Sequence, residues 1–506
     1  MIKNYKRITA VILLAAFVIL SIASCQPKNT EKNADENNIN NNNNNENLNQ
    51  DVVSEDGAKN ETVKITPDLP EVFYDGYEFT VLSMTGEQDY ERDDFFAEEF
   101  NGDIINDAKY TRNLYVEDKY GVRIKTVNIG NFSMNNGTAR LKKEISAGNT
   151  TYDAAVLSGY DAAKAVTGGL LMDLNSMPPL DLSKVWWDQK ANKDLTIRGK
   201  MFFTTGDISA AMGAAIWATV FNKKLHQDYG IAENPYELVK TGKWTWDKIT
   251  ELSRMVSEDL DGNGKMDQHD RFGFITVDDI MQSMINTIGE KCAVINSGGE
   301  IELALYNERT VAVYEKVSEL VWDSAITFQT QRVSDEIDVT MFSNNQALFY
   351  SGLFRHMLQF RSMETDFGIL PMPKLDDSQK EYCNPVNTWW ALFTCVPALQ
   401  ENSERTAVIL EALAAESRYT LRPAFYEKSL LGKHVRDDES EEMLDIIYET
   451  RAYDFGWYYQ IGGLDFGMIN IIRNKTGTFA STVEKAAGKA EKDIQKINDL
   501  FSEFIN

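Results

Sequence analysis

The sequence is short of the residues that most often carry metal, redox and nucleophilic chemistry. It has four cysteines and four histidines in 506 residues. His226, His269, His356 and His434 stand far apart, so neither a His-Glu-x-x-His pair nor a zinc-spaced Cys/His set is present. No Gly-x-Ser-x-Gly elbow is found either. Cys292, Cys383 and Cys395 are odd in number and unlike a disulfide framework; both a Cys383–Cys395 bridge and buried free thiols stay open. Basic residues are outnumbered: 51 Lys and Arg against 77 Asp and Glu give a formal net charge of -26. A surface of that sign repels phosphates, which argues against nucleic acid as a partner and against docking on anionic lipid. Past Cys25 no apolar run approaches the ~20 residues of a membrane span, so the rest of the chain is expected to be soluble.

What is present begins at the first residues. Lys3, Lys6 and Arg7 precede an apolar run over residues 8–20, and Ile22-Ala23-Ser24-Cys25 places small residues before a cysteine. This pattern is expected to be a bacterial export signal over 1–24, cut before Cys25, with a lipid on the Cys25 sulfur tethering the mature protein to the outer face of the cell membrane; the alternative is an uncleaved transmembrane anchor, for which the apolar run is short and the small residues have no role. Residues 25–69 are polar and include six consecutive asparagines at 40–45. Such a segment cannot offset the entropy of ordering and is expected to be a disordered linker, with an end-to-end distance of roughly 35 Å.

A chain of this length exceeds one compact core, so two lobes are expected. Tyr77-Glu78-Phe79-Thr80-Val81-Leu82 alternates like a strand, and residues 103–120 read as a helix with Ile104, Ala108 and Tyr115 on one face. Strand 122–129, helix 138–147 and strand 153–157 follow, which is the pattern of a parallel sheet with crossover helices. Ligands of open α/β sheets sit beyond the carboxyl ends of the strands, which makes Thr85, Glu87 and Ser158 candidates for a cleft. Further on, residues 214–221 and 389–396 read as buried strands, Thr245 as a helix N-cap and 404–415 as a buried helix.

The sharpest local motif is acidic. Asp259, Asp261, Asn263, Asp267 and Asp270 occupy the first, third, fifth, ninth and twelfth places of a loop with Gly264 at the sixth. Calcium takes about 6–8 oxygen ligands, and this spacing wraps a loop around one ion, with Lys265 offering its carbonyl. The last ligand is Asp rather than Glu, which shortens its reach. A structural calcium ion is expected here, bracing the second lobe.

Several segments in order resemble the extracellular solute-binding proteins of ABC importers, family 1, sugar-type. They are Tyr152-Asp153, Asp181-Leu182-Ser183 with Trp186-Trp187-Asp188, and Phe221-Asn222-Lys223. Asn234-Pro235-Tyr236-Glu237-Leu238, Gly242-Lys243-Trp244-Thr245-Trp246 and Phe367-Gly368-Ile369-Leu370-Pro371 continue the series. The likeness spans nearly all of the chain after the linker. It implies a two-lobed α/β periplasmic-binding-protein-like fold with hinge crossings and a ligand cleft between the lobes. Lobe 1 would be 70–213 and 391–440, and lobe 2 would be 214–390 and 441–506.

The resemblance also implies a function: the substrate-binding component of an ABC transporter, capturing a carbohydrate outside the cell and passing it to permease subunits, with no catalysis of its own. An oligosaccharide is the expected ligand and a monomer the expected state. Sugars need aromatic platforms for their C–H faces and polar groups for their hydroxyls. Trp389 and Trp390 beside the second crossing, Trp217 on the first, Tyr350 with Arg355, and Asp278 with Gln282 are the candidates. Trp186-Trp187 is read as structural. The alternatives are an extracellular carbohydrate-active enzyme and an orphan ligand sensor.

Overall fold

In chain order the strands are β1 Tyr77–Ser83, β2 Val122–Asn128, β3 Ala154–Ser158, β4 Phe203–Thr204, β5 Trp217–Asn222, β6 Phe272–Thr276 and β7 Ala293–Ile295; β8 Ile301–Leu303, β9 Thr327–Gln329, β10 Ala347–Leu353, β11 Phe367–Leu370, β12 Asn384–Pro385, β13 Leu392–Cys395 and β14 Arg451–Ala452 complete the set. This computed structural model describes residues 64–84, 94–131, 134–330, 337–426, 438–474 and 477–504. The export signal, Cys25, the asparagine run, Thr85 and Glu87 lie outside the described residues.

Two five-stranded sheets organise the molecule. The first has the order β2-β1-β3-β13-β4 and the second β11-β5-β10-β6-β9. In the first sheet β1 pairs in parallel with β2 (Tyr77 opposite Val122) and with β3 (Val81 opposite Ala154). Helix Ile104–Tyr120 makes the crossover between β1 and β2. Asp103 caps it by accepting from the Asn106 N–H, and Gly121 closes it in the left-handed region at φ 63°. The buried face of this helix differs from the periodicity reading. Ile104 and Tyr115 are exposed, while Ile105, Arg112, Val116 and Tyr120 are buried. Arg112 explains the shift: its guanidinium donates to the carbonyls of Asp94 (2.7 Å) and Ile208 (3.3 Å) and to the Ser417 hydroxyl (3.3 Å). Burial of a charge is tolerated because its donors are met, so a polar letter occupies a core position.

The neighbouring helix Ser403–Ser417 is buried nearly all round, as its composition predicts. Its Glu411 accepts from the indole N–H of Trp186 (3.0 Å) and of Trp187 (2.8 Å), and from the Asp181 N–H (3.2 Å). That triple acceptor gives the Trp186-Trp187 doublet its structural role.

The chain leaves the first sheet after β4 and re-enters it at β13, and the two crossings lie side by side. Ile216 bridges Val386, and the Asn387 N–H donates to the Ala215 carbonyl at 2.9 Å. In the second sheet β10 pairs antiparallel with β5 and parallel with β6, so the carboxyl ends of β6 and β10 adjoin. Helix Asp438–Glu449 packs on β11, and helix Leu464–Asn474 packs on the fully buried helix Ile280–Thr287. The last helix, Phe479–Glu503, ties distant parts together. Its Asn498 side chain accepts from the Ile301 N–H at 2.9 Å, and Phe501 and Phe504 pack on Phe202, next to β4 of the first sheet. Cys292, Cys383 and Cys395 are free thiols. Among the described residues no helix is long and apolar enough to cross a membrane.

Candidate functional site

The site grows from the ends of three strands. β3 ends at the buried Ser158, and helix Gly159–Thr167 begins at once. Gly159 is needed there: a Cβ would lie 2.4 Å from the Tyr458 ring and 2.7 Å from the Thr388 carbonyl. The close approach sets Tyr160 against the second crossing. Its hydroxyl accepts from Thr388 Oγ1 at 2.8 Å, and its ring is edge-on to Trp389 (6.3 Å between centroids) and stacked with Phe466 (6.0 Å).

From the second sheet, β6 ends at Thr276 and delivers Asp278, Asp279 and Gln282, while β10 ends at Leu353 and delivers Arg355. Gln282 Nε2 donates to Thr388 Oγ1 at 3.5 Å, and Asn387 Nδ2 donates to Asp279 Oδ2 at 3.2 Å. Asp278 forms an ion pair with Arg473 of helix Leu464–Asn474. The Arg355 guanidinium lies over the Trp390 ring, 3.4 Å from its centroid.

Trp389 and Trp390 differ in setting from the expected strand. They occupy a turn, because Asn387 Oδ1 accepts from both of their backbone N–H groups (2.9 and 3.1 Å) and holds them out of the ladder. The strand starts only at Leu392. Both tryptophans are half-buried rather than divided between core and cleft.

Two other candidates sit elsewhere. Trp217 is 0% exposed on β5, inside the second sheet and opposite Leu353. Tyr350 is equally buried; its hydroxyl donates to Asp338 (2.9 Å) and contacts His356 Nδ1 (2.5 Å), so its polar end is taken up within the lobe. Neither side chain is available to a ligand in this structure. Both fell on apolar strands whose aromatics pack on two buried faces, which period-two reasoning cannot separate from cleft positions. The structure thus gathers the half-buried Trp389, Trp390 and Arg355 with the buried Asp278, Gln282 and Ser158 at one place, where the last three are covered in this structure. Sequence reasoning missed Asn387, Thr388, Asp465, Phe466 and Arg473. The Asn-Thr pair before the tryptophans was a turn signal that pointed to two of these.

Charge at the site is unevenly met. Loss of solvation, reinforced by neighbouring Asp278, pushes the Asp279 carboxyl up to about 6. Burial also raises Asp465, whose Oδ2 accepts from Gln460 Nε2 at 3.0 Å. Burial and the Asp465 charge together hold the Tyr160 hydroxyl well above its ordinary range.

The acidic loop follows β5 and precedes β6. Carboxylate oxygens of Asp259, Asp261 and Asp270 lie within 4.8 Å of one another. Asp259 accepts from the N–H groups of Gly262 (2.8 Å) and Gly264 (2.7 Å), which curls the loop around its first carboxylate. Gly264 has φ 78°, the left-handed turn required at the sixth place. Asp270 is buried and fixed by the N–H groups of Leu260 and Asp267. Three converging hard oxygens in a tight loop fit calcium's chemistry.

The model of the bacterial extracellular solute-binding protein family matches residues 93–392. No curated protein matches the chain in sequence. Solved structures do match in fold. An ABC substrate-binding protein of Listeria monocytogenes in complex with cycloalternan is 13% identical at a TM-score of 0.54, covering 84% of this chain and 99% of that one. The maltose/maltodextrin-binding domain of Bdellovibrio bacteriovorus bound to maltotriose is 15% identical at 0.53, covering 83% and 100%. UgpB of Mycobacterium tuberculosis in complex with glycerophosphocholine is 15% identical at 0.51, covering 79% and 96%. These likenesses establish the two-lobed α/β binding-protein fold, and the family match extends over more than half of the sequence. This chain belongs to the bacterial extracellular solute-binding protein family.

Proposed function

We propose that the chain is the substrate-binding component of an ABC importer, capturing an oligosaccharide outside the cell and handing it to the permease. The observation that carries this reading is the meeting of Tyr160, Trp389, Trp390 and Phe466 with Asp278, Asp279, Gln282 and Arg355 at the carboxyl ends of strands from both sheets. Aromatic faces suit the C–H faces of sugar rings, and amide, carboxylate and guanidinium groups suit their hydroxyls. The paired crossings serve as the hinge, and closure of the lobes distinguishes the loaded protein for its transporter. Carbohydrate-bound relatives of the same fold support the ligand class.

No catalytic step belongs to this proposal; ATP hydrolysis falls to partner subunits. The lipid on Cys25 holds the protein beside its permease, and the polar linker gives it reach. Calcium in the acidic loop, held by Asp259, Asp261, Asn263, Asp267, Asp270 and the Lys265 carbonyl, braces the second lobe without touching the ligand. A thermal-shift screen of the mature protein over mono- and oligosaccharides tests the reading. At least one sugar is expected to raise the melting temperature in a concentration-dependent way. Silence across the sugars with a response to peptides or other solutes rejects the carbohydrate assignment.

A further inference from the structure

One side chain sets both tryptophans of the cleft. The N–H groups of Trp389 and Trp390 can only donate, so the atom of Asn387 that meets them at 2.9 and 3.1 Å is its oxygen, Oδ1. That choice turns the other end of the amide, Nδ2, toward Asp279 Oδ2 at 3.2 Å. Asn387 is 3% exposed, so losing that acceptor would leave a buried donor unmet. Its backbone is fixed as well. The N–H donates to the Ala215 carbonyl of the first crossing (2.9 Å), and the carbonyl accepts from the Ala391 N–H (3.0 Å).

Asp279 is committed to this bond rather than to its own helix. It stands at the N-cap of helix Ile280–Thr287, where a carboxylate ordinarily accepts from the first free N–H groups, yet it makes no such bond. The helix goes without a side-chain cap, and the crossing gains an acceptor. At the next residue Thr388 ties the same helix to the aromatics, accepting from Gln282 (3.5 Å) and donating to Tyr160 (2.8 Å). Beyond it, Trp389 lies against Tyr160 and Trp390 under the Arg355 guanidinium. Resting on the reading of this place as the ligand cleft, we propose that Asn387 is a positioning residue for the captured solute. Its bond to Asp279 holds the turn that aims Trp389 and Trp390, so affinity for a sugar depends on a residue pair that need not touch it.

The pair is tested by exchange. Asn387→Asp keeps an oxygen for the two N–H groups but sets a second carboxylate against Asp279, beside Asp278. Adding Asp279→Asn returns an amide donor to the contact from the other side. The mature protein is labelled with fluorinated tryptophan, and the Trp389 and Trp390 signals are identified with Trp389→Phe and Trp390→Phe. Parent, single and double variants are then compared, and each is titrated with maltotriose. In Asn387→Asp those two signals should move while the other tryptophans stay, and maltotriose should bind at least roughly tenfold more weakly. The double variant should restore both. Should Asn387→Asp fail to fold, Asp279→Ala, which removes only the acceptor, should move the same two signals. Signals that stay in place in the single variants, or that the exchange does not restore, overturn the inference. Equal maltotriose affinity in the parent and Asn387→Asp also overturns it and leaves carbohydrate capture standing. A parent that binds no maltotriose counts against the carbohydrate reading, and the fluorine signals alone then decide the positioning role.

Discussion

The Arg355 guanidinium lies 3.4 Å from the centroid of the Trp390 ring, so the arginine delivered by β10 is stacked on the tryptophan of the second crossing. A cation–π contact of this kind contributes about 0.5–2 kcal/mol. It holds the two half-buried side chains in one orientation where the crossing meets the second sheet. Trp390→Ala is therefore expected to weaken ligand binding by about 2 kcal/mol, roughly thirtyfold, while leaving the fold intact. Trp389→Ala should act in the same direction through its loss of contact with Tyr160. Calorimetry on both folded variants checks this, and unchanged affinity in both removes the pair from the site.

Calcium is expected to stabilise the chain through the loop that Asp259 opens and Asp270 closes. A hundredfold excess over Kd corresponds to about 2.7 kcal/mol of added stability, which should be visible as a higher melting temperature in calcium than in chelator. Asp261→Ala, which removes the ligand oxygen at an exposed position, should erase most of the difference without disturbing the core. Identical melting curves in calcium and chelator dismiss the ion.

Stability should also depend on pH through Glu411. Burial pushes this carboxyl up to about 7 from an ordinary 4.5, against the opposing bonds from Trp187, Asp181 and Trp186. The folded protein therefore holds the Glu411 proton more tightly than the unfolded chain does. That contribution is fully present below about pH 4.5 and is lost as pH rises through about 7, an effect of up to about 3 kcal/mol. Asp207, pushed up to about 6 by burial, adds a change of the same sign. Glu411→Gln imitates the protonated form, so the stability gap between the parent and the variant should move in the variant's favour between about pH 5 and 8. Urea unfolding at several pH values measures the gap; a gap that does not change with pH contradicts the assignment.

The proposed tether predicts that Cys25→Ser releases the protein into the medium, since the chain carries a formal charge of -26 and, among the described residues, no helix is long and apolar enough to cross a membrane. Fractionation of cells before and after a salt wash reads the outcome. Retention of the variant on cells points to another means of attachment.

Much of the first sheet was legible because its local signals agree. Tyr77–Ser83 alternates, Asp103 caps the next helix and Gly121 ends it, so pattern, cap and turn name the same boundaries. The inner face of that helix was not legible, because the buried Arg112 is satisfied by carbonyls that come from residues 94 and 208. The same limit applies at the cleft. Trp389 and Trp390 could be singled out by residue type, but their turn depends on the Asn387 side chain bonding its own downstream backbone. Asp465, Phe466 and Arg473 arrive from a helix late in the sequence, and no spacing links them to Tyr160 or Asp278. Tyr350 and Trp217 looked equally suitable by type, yet β10 and β5 are buried on both faces.

The most direct measurement of the central claim is calorimetric titration of the mature protein with oligosaccharides, followed by recovery of the ligand and its mass. Saturable binding of one sugar per chain, with the ligand recovered intact and binding weakened in Trp389→Ala and Trp390→Ala, is the predicted result. Recovery of cleaved sugar, or no saccharide bound by a folded protein, contradicts the account.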